Sequence, residues 1–165
     1  MNATAKQATK TPARPRSRAR STLAKQARAD LILVAAEKLF LSDTSQLPTV
    51  LDIAKQANIA KGTVYLYFQT KEEIFLNVLH HHLGEWAEEV AAALKLTDNP
   101  LTSDSLIEAY LRYPLKKPVV MKLASLSPMA LEARIPREAL IKFKLAQIDS
   151  LKHLGELVAK RSDGW

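Results

Sequence analysis

Apolar positions recur at helical spacing along most of the chain, and they predict an all-α fold. Ile32, Ala35, Ala36, Leu39 and Phe40 share one face of a helix expected over Thr22–Leu41. Ser42 to Pro48 is a polar break, because a residue before proline, here Leu47, is pushed out of helical geometry. A short helix is expected over Val50–Ala57, with Thr49 as its N-cap and Asp52 near its positive end. Asn58 supplies a turn, since asparagine tolerates the left-handed conformation. A second short helix is expected over Lys61–Tyr67. Thr70-Lys71-Glu72-Glu73 then reads as a capping box opening a long helix, with Thr70 as N-cap and Glu73 at N3. That helix carries the stripe Ile74, Phe75, Val78, Leu79, Leu83, Trp86 and Val90 and runs to about Leu96. Further helices are expected near 103–113, 117–126 and 137–161, with Pro114, Pro118, Pro128 and Pro136 marking the breaks.

Charge divides the chain unevenly. The 165 residues hold 24 lysines and arginines against 17 acids. Eight of the basic side chains fall before the first acid, Asp30, leaving 16 against 17 over the remainder. The basic excess therefore belongs to an N-terminal arm, 1–21, expected to be disordered and suited to a polyanion. A membrane-surface role fits less well, because Pro12 and Pro15 interrupt the arm and no large apolar residue precedes Leu23. No apolar run approaches the length of a membrane span, and the N-terminus lacks a signal-peptide core. The absence of cysteine excludes disulfides, thiolate zinc sites and a cysteine nucleophile, and suits a cytoplasmic location.

The chemistry concentrates in Thr49–Lys71, TVLDIAKQANIAKGTVYLYFQTK. Ile53 and Ala54 on the first short helix, Ile59 in the turn, and Val64 and Phe68 on the second can share a small core. Small Ala54 and Ala57 permit a close crossing. The second helix is then expected to turn Lys61, Gly62, Thr63, Tyr65, Leu66 and Tyr67 outward. Tyrosine rings facing water suit sugars and phosphate oxygens. This is a helix-turn-helix, whose second helix enters the DNA major groove.

Three blocks in register, ILVAAEKLF at 32–40, TVLDIAKQANIAKGTVYLYF at 49–68 and TKEEIF at 70–75, resemble the N-terminal domain of TetR-family regulators over about Leu31 to Leu79. The resemblance implies a three-helix DNA-binding domain over 22–85, joined by its long fourth helix to a helical ligand and dimerisation body over 86–165. It implies a ligand-responsive repressor that occupies a double-stranded DNA operator as a homodimer, with an unidentified small-molecule effector, no cofactor and no membrane partner. Thr49 would touch a phosphate. Lys61, Gly62 and Thr63 would meet DNA at the start of the recognition helix. Tyr65 and Tyr67 would contact phosphate and sugar, or for Tyr65 a base edge, and Leu66 could meet a thymine methyl. Lys71 would pair with phosphate at the start of the fourth helix. Arg14, Arg16, Arg18 and Arg20 of the arm would add affinity with little sequence selectivity. Four positions depart from the family pattern. Thr44 and Ser45 replace a glycine and an aromatic, Asn58 replaces the turn glycine, and Ala60 replaces a capping serine, a loss of about 1 kcal/mol.

The C-terminal half carries weaker signals. The segment 135–158 offers Leu140, Phe143, Ile148, Leu151, Leu154 and Val158 as an apolar face. Family members continue with two more long helices that form the dimer interface, so an exposed apolar surface is expected where those helices would pack. Trp86, Tyr110, Tyr113, Met121 and Met129 are candidate lining for an effector pocket, though each residue type is also ordinary core. A ligand tilting the fourth helix would change the spacing of two recognition helices, provided it binds the two states unequally.

His80-His81-His82 invites a metal reading, but successive helical residues point about 100° apart and cannot converge on one ion. His81 and Glu85 read better as a solvated pair, so no metal site is assigned. No glycine-rich phosphate loop, HExxH or GxSxG is present, which argues against an enzyme. The alternative to a ligand-responsive regulator is a truncated or non-specific nucleic-acid-binding helical module. Operator sequence, effector identity and the sign of regulation are not written in these residues.

Overall fold

The computed structural model describes residues 15–43, 46–96, 102–126 and 131–161; in 15–21, 96 and 161 only the backbone is described. The architecture is all-helical: α1 (Pro15–Ser42), α2 (Val50–Gln56), α3 (Lys61–Tyr65), α4 (Lys71–Leu96), α5 (Ser103–Lys116), α6 (Pro118–Ser125) and α7 (Arg137–Arg161). Among the described residues there is no strand, in agreement with the all-α sequence reading.

α4 is the axis of the molecule and packs against α1, α5, α6 and α7. One continuous apolar cluster explains why. Ile32, Ala36 and Phe40 of α1 meet Ile53 and Ala54 of α2, Val64 of α3 and Ile74, Phe75 and Val78 of α4. The same cluster reaches Tyr113, Val119, Val120 and Leu123 in the body. Head and body thus share one core. A second, smaller cluster seats Phe143 of α7 with Leu76 and Ile135, and a third centres on Val90 and Leu94.

Two boundaries differ from the sequence reading for a proline reason. α1 begins at Pro15 and not at Thr22, so its first turns lie within the basic arm. Proline is well suited to a first helical position, where its missing N–H had no partner anyway. Pro114 was expected to break the chain but lies buried inside α5. A helical proline leaves the carbonyl four residues earlier without its backbone donor. That carbonyl belongs to Tyr110, and the indole Nε1 of Trp86 donates to it at 2.8 Å. A side chain from α4 therefore supplies the bond that α5 cannot make for itself.

The apolar face assigned to α7 is corrected in part. Phe143 is buried and Leu140, Leu154 and Val158 are half-buried, but Ile148 and Leu151 face outward. They join Ile141 and Leu145 in an exposed stripe, and Ile107, Leu111 and Leu115 form another on α5. Both stripes are apolar surface that the described residues leave uncovered.

Candidate nucleic-acid interface

The head is built around the α2–turn–α3 unit. Thr49 caps α2: its hydroxyl oxygen accepts from Asp52 N–H at 3.2 Å and donates to Asp52 Oδ2 at 2.5 Å. That hydroxyl bond holds the Asp52 carboxyl below its ordinary range. Asn58 takes φ 53°, the one non-glycine residue with positive φ among those described, and turns the chain from α2 toward α3. Ile59 N–H reaches back to the Ala54 carbonyl at 3.0 Å and closes the turn. Ala60 stands at the N-cap of α3 in extended geometry with no side-chain bond, as its methyl group dictates.

Val64 is fully buried and Phe68 nearly so, which anchors the recognition element from one side. Leu66 lies opposite them and is 76% exposed, and Tyr65 is exposed beside it. Lys61 is exposed with its Nζ 5.9 Å from the Tyr65 ring centroid. Gly62 is exposed, and a Cβ there would meet nothing within 4 Å. Nothing inside the protein therefore requires glycine at that point, and its bare backbone faces outward.

Two residues depart from the outward arrangement. Tyr67 is half-buried and packs on the head core, and Thr63 is also half-buried. Tyr67 follows Val64 by three positions, so it falls on the flank of the buried face. The helix itself ends at Tyr65, with Leu66, Tyr67 and Phe68 continuing as a turn; both Tyr67 N–H and Phe68 N–H bond to the Val64 carbonyl at 3.0 Å. Lys71 is half-buried, and its Nζ donates to the Leu47 carbonyl at 3.4 Å, tying the α1–α2 connection to the start of α4. The capping box there forms with a one-residue offset: Thr70 Oγ1 accepts from Glu73 N–H at 3.0 Å, while Glu73 accepts from Gln69 N–H at 2.7 Å.

Of the arm residues, Arg16, Arg18 and Arg20 lie on the first turns of α1, with only their backbone described. Arg14, together with Thr44, Ser45 and Met129, lies outside the described residues.

The candidate effector residues do not form one group. Trp86 and Tyr110 meet, with ring centroids 4.6 Å apart, beside a groove between α4 and α7. Met121 is exposed on α6 and does not line it. Tyr113 is buried in a separate polar cluster that the sequence reading missed. There His82, buried to 3% exposure, places Nδ1 2.7 Å from the Tyr113 hydroxyl. Its Nε2 lies 3.1 Å from Glu37 Oε2 of α1, close enough to pair but off the line of a hydrogen bond. Tyr113 donates to Glu85 in a very short contact that lowers the Glu85 carboxyl. Burial, followed by the Glu85 bond, raises the Tyr113 phenol. The sequence signal was available: His82 follows Val78 by four and Phe75 by seven, which places it on the buried stripe. His81 and Glu85 do form the expected exposed pair, at 3.3 Å. Among the described residues no cluster of histidine and acid side chains is arranged to hold a metal, and no helix is long and apolar enough to cross a membrane.

The family model for bacterial regulatory proteins of the tetR family matches residues 32–78, the segment containing this head. A second model, the tetracyclin repressor-like C-terminal domain, matches residues 80–164, more than half the chain. The chain belongs to the TetR family. Among its relatives are the fatty acid metabolism regulator protein of Bacillus subtilis, 34% identical over 64 residues, and the HTH-type transcriptional regulator QacR of Staphylococcus aureus, 35% identical over 60 residues. Those alignments cover 39% and 36% of this chain, and 33% and 32% of the two relatives, about a third of their length. In fold, this TetR-family member resembles the fatty acid degradation regulator FadR of Bacillus halodurans, with a TM-score of 0.59 at 19% identity over 81% of this chain and 67% of that one.

Proposed function

We propose that this TetR-family chain is a sequence-specific, DNA-binding transcriptional regulator that represses by occupying its operator as a homodimer and releases it when a small molecule binds the helical body. The reading rests on one observation: Val64 and Phe68 fix α3 from within, while Lys61, Gly62, Tyr65 and Leu66 remain outside. An exposed leucine flanked by an exposed tyrosine and lysine on a short helix suits a groove carrying both phosphates and base methyls. Thr49, Thr63, Tyr67 and Lys71 border that face and supply backbone contacts, with Tyr67 and Lys71 acting from partly enclosed positions. Arg14, Arg16, Arg18 and Arg20 add non-selective affinity. The exposed apolar stripes of α5 and α7 support self-association, which spaces two reading heads about 34 Å apart on DNA. The 26-residue α4 carries motion between body and head. The protein works in the cytoplasm and performs no turnover.

Selection of binding sites from random duplex DNA, with light scattering on the purified chain, tests this reading. A two-fold-symmetric consensus bound by a dimer is expected. Enrichment of no sequence overturns it in favour of a non-specific nucleic-acid-binding module, and operator binding by a monomer overturns the homodimer.

A further inference from the structure

The groove between α4 and α7 encloses about 160 Å³. Trp86 and Tyr110 form one wall, Leu83, Val90, Leu151 and Leu154 add aliphatic surface, and no aspartate, glutamate, lysine or arginine lines it. Its volume is close to the roughly 150 Å³ of a dry apolar cavity that accepts benzene. Three groups add hydrogen-bonding capacity: Gln147 and Ser150, one turn apart on α7, and His80 on α4. His80 is exposed at the edge of the groove; partial desolvation, then Lys142 and His81, lowers its imidazole from the ordinary value and favours the neutral ring, which can accept as well as donate.

Two features shape the groove. Gly84 sits in mid-helix and lines the groove, yet a Cβ there would meet nothing within 4 Å. Glycine inside a helix costs about 1 kcal/mol relative to alanine, so its helical neighbours do not explain it. The aromatic wall is fixed by the Trp86 bond to the Tyr110 carbonyl, which Pro114 leaves free. A wall held in advance favours a flat ligand, because little side-chain freedom is lost on binding.

We infer that this groove is the effector site and that it takes a small uncharged aromatic molecule of one or two rings with a single hydrogen-bonding group, seated over Gly84 against Trp86 and Tyr110. The lining offers no formal charge to pair with a carboxylate or ammonium, which favours an uncharged ligand. The limited volume suits one or two rings better than a fully seated long acyl chain. His80, Gln147 and Ser150 receive the hydrogen-bonding group. This deepens, and rests on, the ligand-responsive reading above.

Indole is the probe, with decanoate and indole-3-acetate as anionic comparisons, titrated by calorimetry. Saturable binding of one indole per chain is expected, with the two anions binding more weakly. Gly84→Leu fills the groove and lowers indole affinity about tenfold or more, the scale set by misfit in an apolar pocket. Circular dichroism and thermal melting confirm that this variant folds. Ser150→Ala and Gln147→Leu, which leave the groove open, each weaken indole several-fold. No saturable indole binding, tighter binding of either anion, or unchanged affinity in folded Gly84→Leu overturns the inference. A chain that binds indole as described but selects no DNA sequence upholds this site and refutes the proposed function; one that selects an operator yet ignores indole does the reverse.

Discussion

The indole of Trp86 bonds to the carbonyl of Tyr110 at 2.8 Å, completing from α4 a hydrogen bond that Pro114 removes from α5. Sequence distance hides this relationship, since neither residue is near the other in the chain. It makes Trp86 a structural partner of Pro114 without their side chains having to touch.

A double-mutant cycle follows from that arrangement. Trp86→Phe removes the donor and destabilises the fold by about 1 kcal/mol through the hydrogen bond alone, in addition to lost packing. Pro114→Ala restores a backbone N–H aimed at the same carbonyl. The combined variant is therefore less destabilised than the sum of the two singles, measured by urea unfolding. Additive effects would show that the indole bond and the proline are unrelated.

Tyr113 and His82 give a second test. Tyr113→Phe deletes the hydroxyl 2.7 Å from His82 Nδ1 and leaves a buried ring nitrogen without its partner. The expected loss is about 1–3 kcal/mol in denaturant unfolding. A change within experimental error would mean that another group or a water replaces the phenol.

The same phenol sets an acid limb of stability. Its bond lowers the Glu85 carboxyl from an ordinary 4.5, so the folded state binds that proton less readily than the unfolded chain. Glu85 therefore contributes stability above pH 4.5 that is lost as the pH falls through its lower folded value. Tyr113→Phe flattens this limb when urea midpoints are compared from neutral pH downward. An equally steep limb in the variant would assign the acid sensitivity to other carboxylates.

Ala60 offers a gain. It holds an extended N-cap geometry with no side-chain bond to α3. Ala60→Ser supplies the missing acceptor and raises stability by about 1 kcal/mol, read as a higher melting temperature. No gain would mean that the serine hydroxyl cannot reach the free N–H groups.

On DNA, Lys61 and Leu66 separate two roles. Lys61→Ala weakens binding to all sequences alike and reduces the salt slope by about 1. Leu66→Ala, at a position 76% exposed, leaves stability within about 0.5 kcal/mol but changes which bases are preferred. Selection experiments on both variants separate these effects.

The head was legible in the sequence because its requirements are local. A cap at Thr49, a left-handed turn at Asn58 and a buried pair at Val64 and Phe68 each depend on neighbours a few residues away. Tyr67 was misplaced because a flank position can turn either way, and the core beneath it decides. In the body the sequence showed where helices lie but not which side chains meet. Tyr113 and Met121 looked like pocket residues by type; one is committed to His82 and Glu85, the other faces solvent. Pro114 read as a break because the indole that compensates for it comes from 28 positions earlier, at Trp86.

The length of α1 has a further consequence. From Thr22 to Arg28 its side chains are exposed, whereas from Ile32 onward one face enters the core. An unsupported helical stretch of that size is marginal in water. Amide hydrogen exchange along this single helix should therefore slow progressively from Thr22 toward Phe40, with fraying at one end and protection near that of global unfolding at the other.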